Sequence, residues 1–77
     1  MQNVTIYSTP SCHFCHLAKD FFKEKNVAYT EYNVASDLER RKEMVQKSGQ
    51  MGVPVILIGP ELIVGFDKPK IVQLLGL

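Results

Sequence analysis

Phe14, Leu17, Ala18, Phe21 and Phe22 fall at i, i+3, i+4, i+7 and i+8, one apolar stripe of a helix, and strand-like runs hem that stripe on both sides. Before it, Val4 to Tyr7 is a β-branched and aromatic run that ends on the turn formers Ser8-Thr9-Pro10-Ser11. After it, Val27 to Val34 is rich in Val, Tyr and Thr and reads as a second strand. The first helix should end near Lys25, with Asn26 as its C-terminal cap. Ser36-Asp37-Leu38-Glu39 fits a capping box that opens a second helix, and Gly49 is placed to close it. That helix has a thin apolar stripe (Leu38, Val45 and Met44), which predicts a surface position. Val55 to Ile58 and Leu62 to Val64 flank Gly59-Pro60-Glu61, a hairpin signal. Asp67 can cap a last helix, with Pro69 in its first turn and Ile71, Leu74 and Leu75 facing inward. The order β-α-β-α-β-β-α predicts an α/β domain, a mixed sheet with helices on both faces. Residues 1–77 form one domain, without repeats or linkers.

A chain of 77 residues buries only about 60% of the surface its unfolded form exposes, so the fold must be economical. With 45% hydrophobic and 22% charged residues the composition is that of a soluble globular domain. The formal charge is +1, and the longest block of like charge is Arg40-Arg41-Lys42. Neither nucleic acid nor a membrane is therefore expected as a partner. The first residues, Met1-Gln2-Asn3-Val4-Thr5-Ile6-Tyr7, contain no basic region, apolar run or small-residue cleavage site, so the expected location is cytoplasmic. In that reducing compartment a close cysteine pair is catalytic or metal-binding more often than a permanent staple.

Cys12-His13-Phe14-Cys15 sits where the first strand gives way to the first helix. Thiol exchange needs a thiolate, and a free cysteine with a pKa near ~8.5 is mostly protonated at neutral pH. At a helix N-terminus, unpaired N–H groups and the macrodipole favour negative charge. Cys12, at or beside the N-cap, is therefore the expected nucleophile. Cys15 lies one turn on, beside Phe22 at the margin of the apolar face, and is the expected resolving thiol. Cys12-x-x-Cys15-His16 also matches the attachment pattern of c-type haem, but that chemistry goes with export, and no second axial ligand is in view. Zinc is disfavoured as well, because Cys12, Cys15 and one histidine supply at most three of the four ligands a structural site needs. His13 is either a cation that lowers the Cys12 pKa or a plain exposed residue. His16 reads as a solvated helix residue. Lys19 reads as a surface lysine roughly 10 Å down the helix axis from Cys12.

These motifs resemble the glutaredoxin family within the thioredoxin fold. Cys12-His13-Phe14-Cys15 stands where that family has Cys-Pro-Tyr-Cys, and Gly52-Val53-Pro54 where it has Thr-Val-Pro. Val64-Gly65-Phe66-Asp67-Lys68 stands in place of Gly-Gly-x-Asp-Asp. The resemblance covers nearly the whole chain. It implies a four-stranded mixed sheet in the order β2-β1-β3-β4, flanked by three helices. It also implies a cis Val53–Pro54 bond facing the cysteines. The Val53 backbone is then open to an extended thiol peptide, in the manner of strand addition.

By the same resemblance, glutathione is the co-substrate and no cofactor is tightly bound. The γ-glutamyl end of glutathione would lie on Phe66 and Asp67, and Gln50 would help with its glycine carboxylate. The family's basic residue three before the first cysteine is Thr9 here, and Thr and Gly are replaced by Gly52 and Val64. Losing a charged partner for a carboxylate costs about 1.5–3 kcal/mol, so glutathione binding should be weakened. Phe14 either contacts substrate beside the thiolate or belongs to the core stripe. The expected partners are glutathione and disulfide-bearing or glutathionylated proteins. Gly65-Phe66-Asp67-Lys68-Pro69 also resembles a Gly-Phe-Arg-Pro segment of sister redoxins, which donate electrons to ribonucleotide reductase and are recharged by the flavoprotein thioredoxin reductase. A third alternative is a non-catalytic binding or sensing module with a regulatory disulfide. Nothing in the residues specifically calls for an iron–sulfur cluster.

Overall fold

The computed structural model describes residues 3–77. Seven elements follow one another: β1 (Val4–Ser8), α1 (His13–Glu24), β2 (Thr30–Asn33), α2 (Leu38–Ser48), β3 (Val55–Ile58), β4 (Glu61–Val64) and α3 (Lys68–Leu75). The sheet order is β2-β1-β3-β4, with β2 parallel to β1 and the other neighbours antiparallel. This is the thioredoxin fold, in the order and layering read from the sequence.

The pleat divides the core in two. Val4, Ile6, Ile56, Ile58 and Ile63 point to one face, where they meet Ala18, Phe21 and Phe22 of α1 and Ile71 of α3. Tyr7 and Val55 point to the other face and meet Met44 of α2, with Val34 beside them. The strands on which both faces are covered are the central pair, β1 and β3, whose residues are almost all buried. Edge strand β2 (Thr-Glu-Tyr-Asn) is mostly exposed.

Local chemistry sets the boundaries. Asn26 adopts a left-handed conformation (φ 58°) just after α1 and sends its N–H to the Lys23 carbonyl. The second strand begins at Thr30 rather than Val27, because the Val27 N–H is still bonded back to the Phe22 carbonyl at 2.8 Å. Asp37, not Ser36, caps α2: its carboxylate accepts from the Arg40 N–H at 3.1 Å, while the Ser36 hydroxyl donates to the Asn33 carbonyl at 3.4 Å. Gly49 ends α2 at φ 73°, where a Cβ would be strained. Only Met44 of the predicted α2 stripe is buried; Leu38 is 62% exposed.

Two members of the predicted α1 stripe are also displaced. Phe14 and Leu17 are 58% and 38% exposed, and the buried residues of the helix are Cys15, Ala18, Phe21 and Phe22. The inward face is rotated by one position at its N-terminal end. The core reading of Phe14 is thereby overturned, and Cys15 lies within the face rather than at its margin.

Candidate active site

Strand register brings the functional segments together. Tyr7 pairs with Val55, and Val55 pairs with Val64, so these three residues form the last row that β1, β3 and β4 share at one end of the sheet. One step beyond that row lie the loop from β1 to α1, the residues entering β3, and the turn from β4 to α3. The Gly65 N–H donates to the Pro54 carbonyl at 2.8 Å, extending the ladder past the strands. The Val53–Pro54 bond is cis, and Pro54 is fully buried.

Cys12 is the N-cap of α1, with extended backbone dihedrals. Its Sγ accepts the Cys15 N–H at 3.1 Å, and its carbonyl accepts the His16 N–H at 3.2 Å. A sulfur has taken the place usually held by a Ser or Asp oxygen. The first turn of α1 carries no acidic residue, so no like charge opposes a thiolate at the positive end of the helix. Cys12 and Cys15 are joined as a disulfide, with Cα atoms 5.2 Å apart, inside the range such bonds require. Cys12 is partly exposed and Cys15 is wholly buried. Attack from solvent therefore reaches only the first sulfur.

The flanking residues sort differently from the sequence reading. The His16 Nε2–H donates to the Pro10 carbonyl at 2.8 Å, so this ring clamps the loop that carries Cys12 instead of standing free in solvent. That bond turns Nε2 towards the Pro10 backbone. His13 is exposed, its ring 5.5 Å from that of Phe14 in an edge-on arrangement. Lys19 is not a bare surface charge. Its ammonium donates to Glu31 Oε2 at 2.7 Å, and the buried Ser8 hydroxyl donates to the same oxygen at 2.7 Å. These bonds, Lys19 first, hold the Glu31 carboxyl below its usual range.

The sequence reading missed the Ser8–Glu31–Lys19 cluster. Its signal was present in the alternation: Glu31 pairs with Ile6, whose face packs on α1, so a charge on that face needed a cation from the helix. On the opposite face, burial and then the Glu43 carboxylate push the Tyr7 phenol up to about 12. Glu43 itself is held low, chiefly by Arg40 at 2.9 Å. Arg40 also stacks on Tyr32, with its guanidinium carbon 4.0 Å from the ring centroid.

The residues expected to meet glutathione are not all free to do so. Val53 is half-buried beside the cis bond. Gln50 is turned onto its own loop, its Oε1 accepting from the Gly52 N–H and its Nε2 donating to the Gly52 carbonyl at 3.1 Å. The Phe66 ring packs against the core, 6.0 Å from Phe21. The Asp67 carboxylate is exposed and caps α3 through a 3.4 Å bond from the Lys70 N–H. Among the described residues, no three His, Cys, Asp or Glu side chains are grouped as a metal-ligand set, and no helix is long and apolar enough to cross a membrane.

Known proteins share the fold and much of the sequence. The chain is 46% identical to an uncharacterized glutaredoxin-like 8.6 kDa protein in a rubredoxin operon of Clostridium pasteurianum, over 94% of this chain and 96% of the relative. It is 37% identical to glutaredoxin 3 of Escherichia coli (strain K12), over 87% of this chain and 81% of that one. Its fold is similar to the crystal structure of a thioredoxin-like protein in a mutant form. The TM-score there is 0.91, with 33% identity and coverage of 99% and 97% of the two chains. It is also similar to the glutaredoxin-like NrdH-redoxin of Escherichia coli, described as having a thioredoxin-like activity profile. In that case the TM-score is 0.78, with 25% identity and coverage of 92% and 91%. A family model described as glutaredoxin matches residues 4–63, and on these grounds the chain belongs to the glutaredoxin family.

Proposed function

We propose that this protein is a dithiol–disulfide oxidoreductase that reduces protein disulfides or glutathione mixed disulfides and is recharged by glutathione. The observation that carries the reading is the asymmetry of the cysteine pair. Cys12 Sγ is partly exposed and capped by a helix N–H, while Cys15 is fully buried one turn behind it.

The Cys12 thiolate attacks one sulfur of the substrate disulfide, forming a mixed disulfide and releasing the other sulfur as a thiolate. The Cys15 thiol attacks Cys12 Sγ, and its proton passes to the departing sulfur, so the second half of the substrate leaves as a thiol. Two electrons pass from the dithiol to the substrate, and Cys12–Cys15 is left oxidised, as in this structure. Two glutathione molecules return the pair to the dithiol and leave as glutathione disulfide. Val53 offers backbone to the incoming peptide, Phe14 an exposed ring beside the nucleophile, and Phe66 and Asp67 the far wall. Gln50 belongs to this wall by position. No tightly bound cofactor takes part, and the cytoplasm is the compartment that keeps such a pair reduced.

Replacing each cysteine tests the assignment. Cys12→Ser abolishes exchange with a protein disulfide such as insulin. Cys15→Ser accumulates a mixed disulfide on Cys12 that mass spectrometry detects. Retained exchange in Cys12→Ser would overturn the roles.

One observation favours a second reading, recharging by a flavoprotein thioredoxin reductase. The Gln50 amide, the remaining side chain for the glycine carboxylate now that Thr9 replaces a basic residue, is bonded to Gly52. The likeness to NrdH-redoxin points the same way.

A further inference from the structure

We infer that the outer face of α2, together with Met51, is a docking surface for a segment of the protein substrate that carries both carboxylates and apolar side chains. This rests on the protein-disulfide reading of the Cys12–Cys15 site and adds a place beside it where the substrate is held.

Leu38, Arg41, Lys42 and Val45 recur at i, i+3, i+4 and i+7, so these side chains share one face of the helix. Leu38 and Val45 belong to the apolar stripe read from the sequence, yet Met44 is the residue of α2 that the core takes. Val45 is half-buried, and Leu38 and Met51 are 62% and 58% exposed. The loop after Gly49 brings Met51 against this stripe, and together with Gln46 they line one open, mainly apolar depression. Large apolar side chains exposed side by side mark an interaction surface, whereas single scattered ones do not.

Charge is sorted around the same helix. Asp37, Glu39 and Glu43 lie on another side with Arg40, and Glu43 engages both Arg40 at 2.9 Å and Lys47 at 3.5 Å. The depression has no acidic residue in its lining. Arg41 and Lys42 are exposed, and among the described residues no carboxylate pairs with either. Two unpaired cations beside three apolar side chains complement an occupant that brings carboxylates and apolar groups together. A second copy of this chain is a poor occupant, because a two-fold contact would crowd the same two cations of each copy into one small area. Position favours the substrate. Met51 is two residues before Val53, beside the cis bond, and an extended peptide advances about 3.3 Å per residue. A peptide laid along Val53 therefore passes Met51 within a few residues of its own cysteine and reaches α2.

The probes are two synthetic peptide disulfides, each a cysteine peptide joined to its own copy. One has flanks of alternating Glu and Leu, the other of alternating Lys and Leu. Reduced full-length protein is oxidised to the Cys12–Cys15 disulfide while each peptide disulfide becomes two thiols, measured by chromatography after an acid quench. Each rate is divided by the rate with dithiothreitol, which cancels the peptides' own reactivity. At low salt the acidic peptide should react about tenfold faster than the basic one, and added salt should erase the difference. Arg41→Gln with Lys42→Gln should bring the ratio near one. Lys23→Gln with Lys25→Gln, an equal loss of charge at the far end of α1, should keep most of it. Leu38→Ser should slow the acidic peptide as well. Equal rates in the parent, a preference that survives Arg41→Gln with Lys42→Gln, or no slowing in Leu38→Ser would overturn the inference. So would a dimer of the parent that Leu38→Ser dissolves, which assigns the face to a second copy. Hydroxyethyl disulfide, small and uncharged, keeps the two readings apart. Its reduction should be equal in the parent and in all these variants, and its absence in the parent would sink the oxidoreductase reading instead.

Discussion

Cys12 and Cys15 are identical side chains in opposite surroundings, one capping a helix at the surface and one sealed in the core. The helix N-terminus, with no acidic residue in its first turn, favours the charged form of the Cys12 sulfur in the reduced protein. Brief alkylation of the reduced protein at neutral pH should therefore label Cys12 alone, with Cys15 reacting only after unfolding. Equal labelling of both in the native protein contradicts the assignment. Phe14 gives a second residue-level test. Being 58% exposed, it should cost less than about 0.5 kcal/mol of stability on replacement by alanine, while reduction of protein disulfides slows. Phe22→Ala, from a fully buried site, should cost about 3–5 kcal/mol. The two phenylalanines were indistinguishable in the sequence because Ala18, Phe21 and Phe22 satisfy either helix phase. What separates the phases is whether position 14 or 15 completes the stripe, and a cysteine is apolar enough to do so. The engagement of Gln50 with the Gly52 backbone was equally hidden, since periodicity does not register hydrogen bonds within a loop.

Between elements, short polar ties do what the small core cannot. Ser8, Glu31 and Lys19 join β1, β2 and α1 four residues before the nucleophile. The folded-state pKa of Glu31 is depressed below the ordinary 4.5, so its contribution is present above that value and lost as pH falls through the lower folded one. Urea unfolding across that acidic window should show Glu31→Gln less pH-dependent than the parent; equal slopes would contradict the tie. Tyr7 works in the other direction. Its folded pKa is raised to about 12, so its contribution is present below pH ~10 and lost as pH rises towards 12. At α3, Asp67 combines a cap with the expected glutathione contact. Asp67→Ala should cost about 1 kcal/mol of stability. Asp67→Asn keeps the cap, so a rise in the KM for glutathione in that variant isolates the charge from the cap. Helix ends were legible to within a residue or two. Ser36 and Asp37 are both good caps side by side, and only the bond to the Arg40 N–H decides between them.

For the whole molecule, the site exists because one end of a four-stranded sheet gathers three loops that are distant in sequence. The alternating periods made all seven elements readable, and the family resemblance supplied the strand order and the cis bond. The faces of α1 and the polar ties were not readable, because they depend on packing partners that periodicity does not name. In the proposed cycle Cys12 and Cys15 carry electrons supplied by glutathione. The most direct test is re-reduction of the oxidised protein coupled to NADPH, with glutathione plus glutathione reductase in one reaction and thioredoxin reductase in the other. Sustained turnover with glutathione alone is the predicted result. Turnover only with thioredoxin reductase would contradict it and move the protein to the redoxin group.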